Sequence, residues 1–276
     1  MSQSTFKQIP FFVTMPHSGE KVPDVCHWLK DLPESVLMSD VDRYVDELYE
    51  PALQTLNVKH LKTEWHRYAG DLNRLPTDVD EASVVESKNK AGSFTRGFHW
   101  VKTYQGADLM KAPMDQKTHD HLTELIYDPF HAQIKSTYED FHQQGFKHLF
   151  HIDAHSMPSK GTKEHRDPGE HRADIVVSDC HGKSCRSEFR DLVISAYVTA
   201  GFKVGFNWPY FGGRLTEQYG DPTRGHHVIQ VELNRGLYMN EESKKRHTDV
   251  AEIQKKITAA LSTVQSGLAR LTSGIG

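Results

Sequence analysis

The sequence predicts an α/β fold, one domain whose sheet is covered by helices on both faces. Two observations carry that expectation. Short, almost continuous apolar runs alternate along the 276 residues with longer segments of helical period, and apolar runs without polar alternation suit strands buried on both sides. Two of those runs also stop in the same way, on a histidine followed by a turn: Phe11-Phe12-Val13-Thr14-Met15-Pro16-His17-Ser18-Gly19-Glu20 and His148-Leu149-Phe150-His151-Ile152-Asp153-Ala154-His155-Ser156. In open α/β sheets ligands bind beyond the carboxyl ends of strands, so strand-end histidines point to a shared site.

Taken in order, strands are expected at 11–15, 58–64, 147–153, 173–178, 203–207 and 227–233, and helices at 40–56, 115–144, 184–200 and 241–268. Asp40 and Asp42 open the first helix, where Asp is a common N-cap. In the second, Leu122, Leu125, Ile126, Phe130 and Ile134 recur at helical spacing and read as a core stripe. Ser184 is placed to cap the third. Segments 76–115 and 156–172 are rich in Lys, Gly, Ser, Asp, Pro and His and read as long loops, which in a compact domain are usually functional. No repeat or low-complexity linker divides the chain, so residues 1–276 are expected to form a single catalytic domain.

Composition narrows the function. Apolar residues make up 37% and charged residues 25%, with a net charge of −4. That balance gives no footprint for nucleic acid or an anionic membrane. No apolar run approaches the ~20 residues of a membrane span. From Met1 to Gln8 there is no basic stretch leading into a long apolar one, so no secretory leader is expected. Cys26, Cys180 and Cys185 are odd in number and do not form a C-x-x-C pair, which fits reduced thiols and a cytoplasmic protein.

The motifs suggest metal chemistry. Neutral imidazoles with one or two carboxylates are the usual ligands of a catalytic zinc. His17 and Glu20 can reach one ion from a single turn, Asp42 can supply a carboxylate instead, and His155 closes the set. Asp153 shares a strand face with His155 and can orient it. Asn73-Arg74 suits an anionic substrate, because an Arg fork binds carboxylate bidentately. Glu232 lies in an apolar strand, where burial raises a carboxyl pKa toward the range useful for proton transfer.

Together these blocks resemble the N-formylglutamate amidohydrolase family. The matching pieces are Met15-Pro16-His17-Ser18-Gly19, Asp40-Val41-Asp42, Asp71-Leu72-Asn73-Arg74, Pro129-Phe130-His131, Asp153-Ala154-His155-Ser156, Gly212-Gly213 with Thr216 and Tyr219-Gly220, and Gln230-Val231-Glu232-Leu233. They stand in family order across roughly residues 11–240. The family is itself similar to aspartoacylases and zinc carboxypeptidases. The resemblance implies a mixed, mostly parallel sheet of the phosphorylase/hydrolase-like, zinc-carboxypeptidase-like kind, and one zinc. It implies His17 and His155 as ligands with either Glu20 or Asp42 as the third, Glu232 as general acid/base, Arg67 at the oxyanion, and Asn73 and Arg74 on the substrate carboxylate. Thr216 belongs to the substrate loop, in which Glu217 stands where the family has an arginine and Arg214 can compensate.

The function so implied is hydrolysis of the amide, or formamide, bond of an acidic N-acyl amino acid such as N-formyl-L-glutamate, within amino-acid metabolism and histidine degradation. A carboxypeptidase acting on short or cell-wall peptides is the alternative within the same chemistry. An inert protein binding an anionic ligand is the alternative from another class.

Overall fold

A computed structural model describes residues 9–248 and 250–273; residues 1–8, on which the leader reading falls, lie outside them. The strands are β1 Phe11–Met15, β2 Lys59–Lys62, β3 Leu149–Met157, β4 Ile175–Ser178, β5 Val204–Phe206 and β6 His226–Asn234. The helices are α1 His27–Lys30, α2 Glu34–Leu37, α3 Val45–Thr55, α4 Gln116–Leu122, α5 Asp128–Gln143, α6 Ser187–Thr199, α7 Arg214–Tyr219 and α8 Ala251–Ser273. A π-turn at Thr123–Tyr127 joins α4 to α5, so the expected long helix is real but interrupted.

The strands form one sheet in the order β2-β1-β3-β6-β4-β5. Every neighbouring pair is parallel except β4 with β6, which is antiparallel. The sheet is therefore mixed and mostly parallel. Both faces are covered. On one, Val13, Ile152 and Val231 pack with residues of α3, α6 and α8. On the other, Phe12, Leu149 and Val228 meet Leu122, Ile126, Phe130 and Ile134, the stripe expected from the sequence. Each such large apolar side chain contributes roughly 1.5–3 kcal/mol by leaving water. Among the described residues, no helix is long and apolar enough to cross a membrane.

Several boundaries differ from expectation. β3 does not end at Asp153: it continues through His155 to Met157, paired to β6 throughout. α3 begins at Val45, so Asp40 and Asp42 lie before it and do not cap it. Ser184 does not cap α6, whose N-cap is Arg186; its hydroxyl donates to Val228 O at 2.8 Å. α8 starts at Ala251 rather than near residue 241. The short helices α1, α2 and α7 were not expected. The three cysteines are buried and unpaired.

Candidate active site

The parallel neighbours β1, β3 and β6 end side by side, and their last residues build the site. His17 lies two residues beyond the end of β1. Its turn is seated against another loop at Gly19, where a Cβ would lie 2.5 Å from the backbone of Glu64 and Trp65. The His17 carbonyl accepts from Asp42 N at 2.9 Å, which carries the Asp42 side chain to the same spot. His155 arrives from β3. One ligand-type atom from each of His17, Asp42 and His155 lies within 4.8 Å of the others, and all three residues are buried.

Their orientation is set from behind. His17 Nε2 meets Asp71 Oδ1 at 2.7 Å, and His155 Nε2 meets Asp153 Oδ2 at 2.9 Å. Both imidazoles thus turn Nδ1 toward Asp42 Oδ2, at 3.5 Å from His17 and 3.0 Å from His155. Backing carboxylates of this kind fix ring orientation in metal sites. His17 Nδ1 is buried without a hydrogen-bond partner. Burial opposes charge on Asp42, yet the neighbouring imidazoles of His155 and His17 hold it well below the usual carboxylate range. Burial likewise opposes charge on His155, but Asp153 and Asp42 pull it well above the ordinary imidazole value. A positive charge is favoured between these groups, and an orphaned imidazole nitrogen waits for it. Two Nδ1 atoms and a carboxylate fit one divalent cation with an open position.

Glu232 on β6 pairs in register with His155 on β3. Gln230 Nε2 donates to its Oε1 at 2.7 Å. Burial raises the Glu232 carboxyl to about 7, against the opposing effect of His155. Arg67 also lines the cavity. It donates to Asp71 Oδ2 at 2.8 Å and to Asp40 O at 2.9 Å and lies over the Trp100 ring. Asp71 therefore holds His17 with one oxygen and Arg67 and Trp100 Nε1 with the other. Arg235 does not pair with Glu232; its Nη2 donates to Asp42 Oδ1 at 3.0 Å.

These groups open onto a cavity of about 330 Å³ lined also by Asn73, Arg74, Tyr104, Arg166, Tyr210 and Gly213. Asn73 is committed to the opposite wall: its Oδ1 accepts from Leu215 N at 2.7 Å, and a Cβ at Gly213 would sit 2.1 Å from its Nδ2. Arg74 is braced by the Arg96 and Asn73 carbonyls at 3.0 and 2.8 Å.

Three sequence expectations do not meet the site. Glu20 is taken by Arg43 Nε at 2.8 Å and stays outside the His17–Asp42–His155 group. Arg214 is partly exposed and pairs with Glu217 at 3.2 Å along α7. Thr216 is buried in the same helix and does not line the cavity. The helical turn explains both, because it rotates these side chains away from the preceding glycines. Asp71, given no role from sequence, belongs to the surroundings of the site, its signal being its place two residues before Asn73. Arg166, in the long loop expected to be functional and to carry further substrate contacts, lines the cavity.

A six-stranded α/β sheet with histidines, acids and arginines gathered where its central strands end defines a hydrolase architecture of the amidohydrolase type. The sequence profile of the N-formylglutamate amidohydrolase family matches residues 9–239, and the chain belongs to that family, whose members act on an amide bond. It is 27% identical over 240 residues to an N-formylglutamate deformylase of Pseudomonas putida, covering 85% of this chain and 83% of that one. It is 26% identical over 259 residues to the N-formylglutamate deformylase of Pseudomonas aeruginosa, covering 92% and 91%. The crystal structure of N-formylglutamate amidohydrolase from Ralstonia eutropha JMP134 superposes with a TM-score of 0.84 at 25% identity, covering 98% of this chain and 97% of that one.

Proposed function

We propose that this protein hydrolyses the formamide bond of an acidic N-formyl amino acid, N-formyl-L-glutamate-like, with one zinc held by His17, Asp42 and His155. The observation that carries the reading is the pairing of Glu232, a buried carboxyl near 7, with the residue that supplies a metal-type imidazole nitrogen. When bound, zinc supplies Lewis acidity and an acidified water. Glu232 takes the proton of the attacking water and returns it to the leaving amine, a role suited to a carboxyl whose pKa lies near neutrality. Arg67, held rigid by Asp71 and Asp40, faces the developing oxyanion with its cationic edge.

The cavity volume suits a small substrate better than a peptide groove. Arg74 and Arg166 both line it, and among the described residues neither has a carboxylate within salt-bridge distance. Two guanidinium groups without a carboxylate partner match the two carboxylates of an N-acylated acidic amino acid. Asn73 ties the Leu215 segment to this wall through its side chain and braces Arg74 through its backbone carbonyl, while also lining the cavity. The names of the Pseudomonas relatives agree with this substrate. The test is a screen of zinc-loaded protein across N-formyl and N-acetyl amino acids and short peptides. Fastest turnover on N-formyl-glutamate or N-formyl-aspartate is expected; faster cleavage of neutral peptides would reject the reading.

A further inference from the structure

Behind His155 runs a chain of buried polar groups that the proposed reaction does not use. Tyr138 Oη lies 3.0 Å from His151 Nδ1, His151 Nε2 lies 2.8 Å from Thr14 Oγ1, and Thr14 donates to Asp153 Oδ1 at 2.8 Å. Asp153 Oδ2 then meets His155 Nε2 at 2.9 Å. Thr14, His151 and Asp153 are completely buried, and Tyr138 nearly so. The sheet register makes the chain possible. Thr14 on β1 is opposite Asp153 on β3, and Phe12 is opposite His151 and stacks on its ring at 4.1 Å. With a side-chain period of two, all these groups stand on one face with His155.

The proton positions along this chain follow from valence. An ionised carboxylate only accepts, so the single hydroxyl proton of Thr14 goes to Asp153. Thr14 must then accept from His151, which puts the imidazole proton on Nε2. His151 Nδ1 is left as a lone pair and accepts from the Tyr138 hydroxyl. His151 is neutral, because burial holds it down to about 3. Each proton is thereby assigned by its neighbour, and the last assignment falls on the bond between Asp153 and His155.

We propose that Thr14 and His151 are positioning residues for the metal site: with Tyr138 they lock the Asp153 carboxylate so that it holds His155 by Nε2 and keeps Nδ1 directed at Asp42. The inference rests on the metal reading given above. Without Thr14, one oxygen of Asp153 loses its donor and the carboxylate is free to turn about its own axis, taking His155 with it. Groups that support ligands in this way are typically worth about 10–100-fold in metal affinity.

The test is the zinc dissociation constant, measured by competition with a chromophoric chelator, with thermal unfolding of the metal-free protein as the control for folding. Thr14→Val is expected to weaken zinc by roughly tenfold or more, and Thr14→Ser to restore it. Independently of any variant, nitrogen NMR of histidine-labelled wild-type protein is expected to show His151 neutral with its proton on Nε2. An unchanged zinc affinity in Thr14→Val, a failure of Thr14→Ser to restore it, or a proton on His151 Nδ1 overturns the proposal while leaving the metal site intact. Wild-type protein that takes up no zinc overturns the metal site and this inference together.

Discussion

His155 and Glu232 are register partners across the parallel β3–β6 pair. Equivalent positions in parallel neighbours point their side chains to the same face of the sheet. One strand therefore brings an imidazole to the cation position, and the next brings a proton acceptor beside it. Neither depends on a flexible loop for its placement.

Glu232→Gln tests that division of labour. The substitution keeps shape and removes the proton carrier, so zinc content should stay at the wild-type level while kcat falls by about 10²–10⁴. The base form of Glu232 exists above its pKa, which burial raises to about 7. In wild type kcat/KM should rise with pH through a limb at or below that value, since a bound cation can only lower it. The limb should vanish in the variant. A wild-type kcat in Glu232→Gln would remove this residue from the chemistry.

His17→Ala and His155→Ala should each abolish tight zinc binding, because each removes one of the Nδ1 atoms directed at Asp42. Glu20→Gln should leave zinc content unchanged, since Glu20 serves Arg43. Metal analysis of the purified variants decides between them. Zinc lost from Glu20→Gln and kept in His155→Ala would reverse the ligand assignment.

The legible part of this fold was its strands. Continuous apolar runs such as Ile175–Ser178 cannot be confused with surface, and all the expected strands form. That His17, His155 and Glu232 meet at one cavity was legible for the same reason, since they are polar residues breaking or ending such runs. What pairing decides was not legible. β3 runs on through His155 because β6 supplies its partners to Met157, a contact between residues far apart in sequence. His151 looked like an ordinary histidine because its partners, Thr14 and Tyr138, come from other elements. The direction of the Arg214 side chain was not legible because it is set by α7, a helix of six residues too short to show a periodic pattern.

Arg74→Ala and Arg166→Ala test the two-carboxylate reading. Each should raise KM for N-formyl-glutamate well above its effect on N-formyl-glutamine or a neutral formamide. A lost hydrogen bond to a charged group costs about 1.5–3 kcal/mol, hence roughly tenfold or more in KM. Arg214→Ala should change little, because that side chain pairs with Glu217 outside the cavity. Equal losses on charged and neutral substrates would reject the clamp.

The buried histidines predict how the metal-free fold responds to acid. His66 and His131 are held down to about 4 and His99 to about 3, in each case chiefly by burial. His99 is tied to Ala69 O at 2.6 Å and to His119 Nδ1 at 2.9 Å, and His66 to Leu37 O at 2.9 Å. In the unfolded chain the same groups titrate near 6.5. Below that value the unfolded state binds protons that the folded state refuses, so stability rises with pH and is lost on acidification, from about 6.5 down toward 4. Each such histidine contributes a slope approaching about 1.4 kcal/mol per pH unit. The urea midpoint of the metal-free protein should therefore fall steadily between pH 7 and 5, above the range where ordinary carboxylates titrate. His99→Gln should flatten that fall by one histidine's share even if it lowers stability at pH 7. A midpoint that stays constant from pH 7 to 5 would mean these rings carry protons in the folded state.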